Sequence, residues 1–405
     1  MRISTNTIYA QSTSQLGTLQ SQLARTQQQL ATNKRMLSAA DDPIASARAV
    51  EVSQSKSINA QFATNRANAR SSLSQEEVAL TGVQSLIQDV QGIAVAAANG
   101  SNSPSDRATY ANELQGRLDD LVALANSSDG NGGYVFSGYA STTQPFVKSS
   151  NGVDYMGDQG QVQLQVASSR KVGMNDPGSA VFNGIPTGNG SFTTAPVNGN
   201  AGSGVISGGM VTDPSQLTGH SYNIEFTVAG TNTSYTITDQ TTNPPTQVVA
   251  SAPYKPGAPI NVAGMQFDVS GIPADSDEFT VKPSDRQSLF TTLGKMIDTL
   301  RGPAVTDSDK KAMTDGMSAA INNLSLGLDN VLAVRSSVGA RMKELDTLDT
   351  IGSDADIQYA ATLSGLQDLD LVQAISQFTQ QQATLEAAQK TFKSVSSLSL
   401  FNFIG

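Results

Sequence analysis

The sequence predicts a mainly α-helical protein with an all-β insert: a long antiparallel helical rod formed by the N- and C-terminal segments, with a terminal coiled-coil pair and a distal β domain. Three observations predict it. Of 15 prolines, 12 lie between Pro145 and Pro283, so the flanks can hold long helices and the middle cannot. Apolar residues at the two termini recur on the same narrow 3-4 spacing. Between the flanks the hydrophobic period changes from helical to alternating.

The N-terminal repeat is Ile8, Leu16, Leu19, Leu23 and Leu30, set among Gln, Ser, Thr and Ala. Asp41-Asp42-Pro43 then opens a second helix: Asp accepts a bond from an orphan helix N–H, and Pro at the first helical position sacrifices no needed donor. The same three residues are expected to form an inter-domain joint between terminal and inner helices. Phe62, Ala69, Leu73, Leu80, Val83, Ile87, Val90, Ala94 and Ala97 hold one face of this helix until Asn99-Gly100 stops it. A third helix starts at Ser103-Pro104 and carries Tyr110, Leu114, Leu118, Leu121 and Ala125.

Tyr134–Tyr139 and Val162–Val166 read as strands of one hairpin-like unit. Within the Gly-, Ser-, Thr- and Pro-rich stretch that follows, Tyr222–Val228, Ser234–Thr238, Met265–Val269 and Glu278–Val281 alternate as strands. Residues 183–220 have no period and are expected to be a long loop or a weakly ordered cover. After Ser284 a short helix holds Phe290, Leu293, Ile297 and Leu300 before Gly302-Pro303. A long one holds Met317, Ile321, Leu324, Leu328, Val331, Val338, Met342 and Leu345, interrupted by Arg335. Gly352 is expected to break the phase, with Ser353 or Asp354 capping the next helix. That helix leads into the closing repeat of Leu371, Ile375, Phe378, Leu385 and Phe392, with Gln382 and Gln389 completing the heptads.

Three regions follow: a terminal helical coiled-coil region (1–41 and 366–405), an inner helical rod with a β-hairpin-like unit (42–176 and 284–365), and an outer all-β domain (177–283). The chain runs out through helices, turns in β structure and returns, so its ends should meet at one pole. A terminal helix would be roughly 50 to 60 Å long at the α-helical rise.

Composition excludes several function classes. The net charge of -10 and the lack of a Lys/Arg stripe argue against nucleic acid as a partner. With no cysteine and a single histidine, His220, thiolate nucleophiles and Cys/His zinc sites are missing, and no enzyme activity, cofactor or metal is expected. No apolar run approaches membrane-spanning length, and MRISTNTIYAQS lacks the apolar core of a secretory signal, so export would need another route. Arg2, Arg25, Lys34 and Arg35 without an acidic residue resemble a mitochondrial targeting peptide in composition. Against that reading, the polar face is Gln rather than Arg, and a cleavable peptide needs no matching partner at the far terminus.

Short patterns that tempt a chemical reading have simpler ones. Gly202-Ser-Gly204 with Gly208-Gly209 lacks the strand and helix of a dinucleotide loop. Asp119-Asp120 belongs on an outer helix face, and Asp354/Asp356 sit where a helix would start. His220, beside Gly219 at a strand entrance, reads as a solvent-facing turn residue. The terminal seams carry more. A narrow seam is a small return for the backbone entropy of ordering two long helices, so the isolated pair should be marginal. Its nearly uncharged Gln, Ser and Ala faces could pack on copies of the same helices. The ten seam residues are therefore the expected assembly interface, with both ends mobile in the free monomer.

The segment Leu37-Ser-Ala-Ala-Asp-Asp-Pro-Ile44 resembles the junction between terminal and inner helices in bacterial flagellin-like proteins. Met1-Arg-Ile-Ser-Thr-Asn-Thr7 and Leu398-Ser-Leu-Phe-Asn-Phe-Ile404 are similar to their two extremities. Gly133-Tyr-Val-Phe-Ser-Gly138 followed by Thr143-Gln-Pro-Phe146 resembles the hook-filament junction branch of that superfamily more than flagellin. The resemblance covers about residues 1–175 and 285–405; Gly271–Val281 in the insert resembles a β module of hook-associated proteins. It implies a structural, secreted, extracellular subunit of the bacterial flagellum, exported unfolded by a type III apparatus and adapting the hook-associated region to the flagellin filament. The implied partners are further copies in a ring or short helical layer, another hook-associated protein, flagellin and an export chaperone. The near alternative is a flagellin filament subunit; the distant one is a ligand-binding or enzymatic activity in the β insert, which requires a deep pocket between residues 222 and 281.

Overall fold

The structure, a computed structural model, describes residues 5–150, 152–197 and 199–397. The proline-poor N-terminal flank forms α1 (Thr5–Thr32), α2 (Pro43–Ala97) and α3 (Pro104–Ala125). The heptad face of α2 is fully buried at Ala69, Leu73, Leu80, Val83, Ile87, Val90, Ala94 and Ala97. α3 begins with a capping box. The Ser103 hydroxyl accepts the Asp106 N–H at 3.1 Å, and the Asp106 carboxylate accepts the Ser103 N–H at 3.2 Å.

The next segment departs from the expected hairpin. Tyr134–Tyr139 is a series of turns rather than a strand. Gly138 takes φ 76°, and the Asp158 carboxylate gathers the N–H groups of Tyr139, Ala140 and Gly160 at 2.9, 2.9 and 2.6 Å. Such a carboxylate nest closes the chain where a strand would have to run straight. Val135 and Phe136 are buried by this turn. Of the two expected strands only the one at Val162–Val166 forms: β1 (Phe146–Ser149) pairs with β2 (Gly152–Tyr155), and β3 (Gln163–Ala167), the strand expected there, pairs with β4 (Arg170–Gly173).

After α4 (Gly178–Phe182) and β5 (Ile185–Pro186), the insert continues through β6 (Phe192–Pro196), β7 (Val205–Ile206), β8 (Met210–Val211), β9 (Tyr222–Ala229) and β10 (Asn232–Asp239). Then follow β11 (Thr246–Pro253), β12 (Pro259–Val262), β13 (Met265–Ser270), β14 (Glu278–Pro283) and β15 (Arg286–Gln287). One sheet has the order β11-β10-β9-β14-β6; in the other, β13 pairs with β12, β7 and β8. Both are antiparallel. The alternating side chains Ile224, Phe226, Phe267, Val269, Phe279 and Val281 meet in one apolar core.

Within residues 183–220, expected as a loop, β6, β7 and β8 belong to this sandwich. β6 pairs along β14 from Phe192–Pro283 to Pro196–Phe279. The Asn200 amide bonds both backbone groups of Glu278, at 2.8 and 2.9 Å, and the Asp277 carboxylate holds the Ala201 and Gly202 N–H groups at 2.8 and 3.0 Å. Polar tethers order the segment, and they leave no hydrophobic period.

The returning flank starts with α5 (Leu289–Arg301), where the Ser288 hydroxyl accepts the Thr291 N–H at 3.0 Å and Phe290, Leu293, Ile297 and Leu300 are buried. α6 (Asp307–Gln367) runs without interruption, so Gly352 does not end a helix and neither Ser353 nor Asp354 caps one. A single interior glycine costs only about 1 kcal/mol. Here its carbonyl accepts the Asn59 side-chain amide at 2.8 Å. The break comes instead before α7 (Leu371–Ser397), whose Gln373 N–H is accepted by Asp370 at 3.1 Å. Arg335, which interrupts the apolar repeat, bonds Glu77 and Gln84 on α2.

The chain divides into two compact units, Met1–Asn65 with Asp346–Gly405, and Arg66–Leu345. Within the second, Phe182 is fully buried and lies 5.2 Å from the rings of Phe136 and Phe146 and 5.8 Å from that of Phe290. This cluster ties α4 and α5 to β1 and the turn after α3.

Glu76 is the buried acid of the same unit. It is 0% exposed, its Oε1 accepts the Asp176 N–H at 3.1 Å, and Asp176 in turn pairs with Arg341. Burial, with the Asp176 charge adding to it and Arg341 opposing, pushes the Glu76 carboxyl up to about 9. A raised folded-state value means stability that is whole below the unfolded value of 4.5 and is lost as pH rises towards 9. The loss runs at up to about 1.4 kcal/mol per pH unit. In urea titrations at pH 5 and pH 9, Glu76→Gln is expected to match the parent at the lower pH and exceed it at the higher. A parallel decline in both proteins would contradict this.

Candidate assembly interface

The residues expected at the interface sit on α1 and α7, which pair antiparallel. At one end the rings of Tyr9 and Phe392 are 5.1 Å apart. At the other the Lys34 ammonium meets Asp368 at 2.8 Å, the Arg35 N–H donates to the Gln367 carbonyl at 2.8 Å, and the Leu369 N–H donates to the Asn33 carbonyl at 3.3 Å. Between them Leu16, Leu19, Leu23 and Leu30 of α1, and Phe378, Leu385 and Phe392 of α7, are half-buried. The side chain of Ile8 and the terminal motifs at residues 1–4 and 398–404 lie outside the described residues.

The seam of α7 has a different second line from the one expected. Leu371 and Ile375 are 47% and 55% exposed, and Gln382 and Gln389 are exposed as well, whereas Ala374 is buried and Gln381 and Ala388 are half-buried. Positions 378, 385 and 392 thus combine with 374, 381 and 388, not with 375, 382 and 389. Both choices satisfy a 3-4 repeat, so spacing alone does not separate them. A polar contact does. The Thr26 hydroxyl, buried in α1, donates to the Gln381 side-chain oxygen at 2.9 Å, a pairing of two uncharged groups that the apolar pattern does not record. The side left uncovered carries Leu371, Val372 and Ile375.

Around the joint the geometry follows from side-chain capping. Asp41 accepts the N–H groups of Leu37 and Ser38 at 2.8 and 2.9 Å, and Arg25 pairs with it at 2.8 Å. The backbone donors of Ser38 and Leu37 hold its carboxyl below the usual carboxylate range. Asp42 accepts the Ala45 N–H at 3.0 Å, which makes it the cap of α2 with Pro43 as first helical residue. Arg35 lies 3.3 Å from Asp42.

The other singled-out residues form no chemical constellation. Asp119 pairs with Lys148 at 2.6 Å, Asp120 lies 3.7 Å from Arg117, and Asp356 lies 3.8 Å from Lys56. His220 is half-buried rather than solvent-facing. Its Nδ1 is 2.6 Å from Asp239, which ties the strand entrance to the end of β10. Gly209 packs on the Phe192 ring and Gly202 on Asp277, with no long helix after either. Among the described residues no group of three or more His, Cys, Asp or Glu is placed to hold a metal ion. No helix among them is long and apolar enough to cross a membrane. The core side chains of β9, β10, β13 and β14 fill the space between the two sheets. The hollow over Met210, Pro259, Phe267 and Asp268 is an open surface dish, and a more enclosed hollow, where Thr194, Pro196 and Ile206 face Lys311 and Asp315 of α6, takes only Phe279 from residues 222–281.

Comparison with known proteins gives a full-length match. Residues 3–141 match the bacterial flagellin N-terminal helical region. The flagellar hook-associated protein 3 of Salmonella typhimurium is 30% identical over 405 residues, covering 99% of this chain and 99% of that one. The crystal structure of the flagellar junction protein FlgL from Legionella pneumophila superposes with a TM-score of 0.71 at 31% identity, covering 79% of this chain and 100% of that one. A phase 1 flagellin of Salmonella naestved is 29% identical over 135 residues only, 33% of this chain and 27% of the flagellin.

Proposed function

This chain belongs to the flagellar hook-associated protein 3 family, and from that premise we propose that it is a structural subunit of the bacterial flagellum joining the hook-associated region to the flagellin filament. The observation that carries this reading is the reach of the match: it runs the whole length of a hook-associated protein 3, whereas the likeness to flagellin is confined to 135 residues. A junction reading is therefore favoured over a filament subunit.

Its partners, on this reading, are copies of itself in a ring or short helical layer, a second hook-associated protein on one side and flagellin on the other. The chain is secreted to the cell exterior, exported unfolded with the help of a flagellar chaperone, and has no enzymatic role. The assembly interface comprises Ile8, Leu16, Leu19, Leu23 and Leu30 with Leu371, Ile375, Phe378, Leu385 and Phe392. Asp41, Asp42 and Pro43 set the angle between a terminal region (1–41 and 366–405) and an inner one (42–176 and 284–365), with 177–283 as the outer domain. Two structural features support this use of the ends. Among the described residues of α1 and α7 only Thr26 and Ala374 are buried, and Leu371, Val372 and Ile375 expose apolar side chains on one side of α7.

Deletion of the gene tests the proposal. Cells without the protein should make hooks and export flagellin into the medium without retaining it as a filament, and the intact gene should restore the filament. Filaments still anchored on hooks in the deletion strain would end the junction reading.

A further inference from the structure

The sequence holds six Asn-Gly pairs, at 99, 131, 151, 183, 189 and 198. Asparagine before glycine is prone to one reaction. The glycine backbone nitrogen attacks the asparagine side-chain carbonyl carbon, the C–N bond to the amide nitrogen breaks, and ammonia leaves with the proton from the attacking nitrogen. Water then opens the resulting succinimide to aspartate or, through the other carbonyl, to isoaspartate. The attack requires a side-chain carbonyl free to turn onto a backbone that can approach it, and glycine removes the Cβ that would hinder it.

Hydrogen bonding separates the pairs. The Asn189 side chain is locked on both ends: its Nδ2 donates to the carbonyls of Gly208 and Gly209 at 3.1 and 3.2 Å, and its Oδ1 accepts the N–H groups of Ser191 and Phe192 at 3.0 and 2.9 Å. Asn99 is exposed but its Oδ1 accepts the N–H and hydroxyl of Ser101 at 3.1 and 2.9 Å. The Oδ1 of Asn183 is buried. Asn151 and Asn198 lie outside the described residues. Asn131 differs from Asn99, Asn183 and Asn189: it is exposed, its side chain makes no hydrogen bond among the described residues, and the glycines on either side take φ 75° and 88°. Nothing lies within 4 Å of where a Cβ on Gly132 would be.

We infer that Asn131 is a site of self-modification in the folded protein, converting through a succinimide to aspartate and isoaspartate. The product acts on the turn that carries it. Asp129 Oδ1 holds the N–H groups of Asn131 and Gly133, both at 2.8 Å, and the Asp129 N–H donates to the Gly133 carbonyl at 2.9 Å. A new carboxylate two residues from Asp129 repels it, and an isoaspartyl link adds a backbone atom between Asn131 and Gly132, inside that ring of bonds. Both changes loosen the turn that leads into the buried Val135 and Phe136.

Peptide mapping of the full chain after incubation at mildly alkaline pH tests this, with a urea-unfolded sample alongside. In the folded chain the peptide with Asn131 is expected to gain about 1 Da, with isoaspartate as a product, several times faster than those with Asn99, Asn183 or Asn189. In urea the four should converge. Gly132→Ala should slow conversion at 131 in both samples, including the unfolded one, where any strain at that position is irrelevant. An Asn131 that stays intact in the folded chain, or converts no faster there than Asn189, would overturn the inference.

Discussion

A chain carrying Leu371→Asp with Ile375→Asp is expected to fold as the parent does and to fail to restore filaments in the deletion strain. Both side chains are about half exposed, so a carboxylate at either position stays hydrated in the monomer and should leave thermal unfolding within a degree or two of the parent, since exposed substitutions typically change stability by less than about 0.5 kcal/mol. In the proposed assembly the same positions face neighbouring helices. An unpaired carboxylate buried there costs several kcal/mol unless it takes up a proton, and the cost recurs at every subunit contact. Leu23→Asp and Phe378→Asp are also expected to remove assembly, but they are less diagnostic. Both residues are half-buried within the α1–α7 pair, so a charge there also disfavours the pairing of the two helices within one chain, and a loss of filaments would not separate that from a lost contact between subunits. Circular dichroism melting of the double variant, paired with filament counts in complemented cells, checks the expectation. Normal filaments on those cells would remove this side of α7 from the interface.

Phe182→Ala is expected to give the largest loss of monomer stability, about 3 to 5 kcal/mol. The ring is fully buried against Phe136, Phe146 and Phe290, and it comes from a five-residue helix, Gly178–Phe182. So short a helix has little stability of its own; the aromatic cluster holds it, and with it the entrance to the β sandwich. Phe182→Leu, which keeps most of the volume, should cost clearly less. Urea unfolding of the two variants distinguishes loss of packing from loss of fold. A Phe182→Ala protein with an unchanged urea midpoint would show that the cluster does not join these elements.

How much of this was legible in the sequence depends on what carries each element. The long helices were, because Leu73, Leu80, Ile87 and Ala94, or Phe290, Leu293 and Ile297, repeat an apolar period that packing then uses. The caps at Asp42, Ser103 and Ser288 were within reach for the same local reason, although only the first two were singled out. Residues 183–220 were illegible because side-chain to backbone bonds from Asn200 and Asp277 order them, and such bonds leave no spacing to read. The turn at Tyr134–Tyr139 looked like a strand because its apolar residues are buried by a carboxylate nest whose acceptor, Asp158, lies 19 residues from Tyr139. Gly352 misled in the other direction. One glycine is a weak break inside a 61-residue helix. At the terminal seam the large residues were legible and the partner line was not, since Ala374, Gln381 and Ala388 are small or polar and Thr26 reaches Gln381 through a hydrogen bond. The full-length match to a hook-associated protein 3 agrees with the junction-like resemblance of Gly133–Gly138 and Thr143–Phe146.

The central claim is that neighbouring subunits complete the paired terminal helices. Hydrogen exchange read by mass spectrometry on the free chain and on the chain within isolated hook-filament junctions tests it directly. In the free chain, residues 5–32 and 371–397 should exchange quickly while Leu73–Ala97 and Leu289–Arg301 are protected; in the junction all four segments should be protected. Strong protection throughout residues 5–35 in the free chain would contradict the claim.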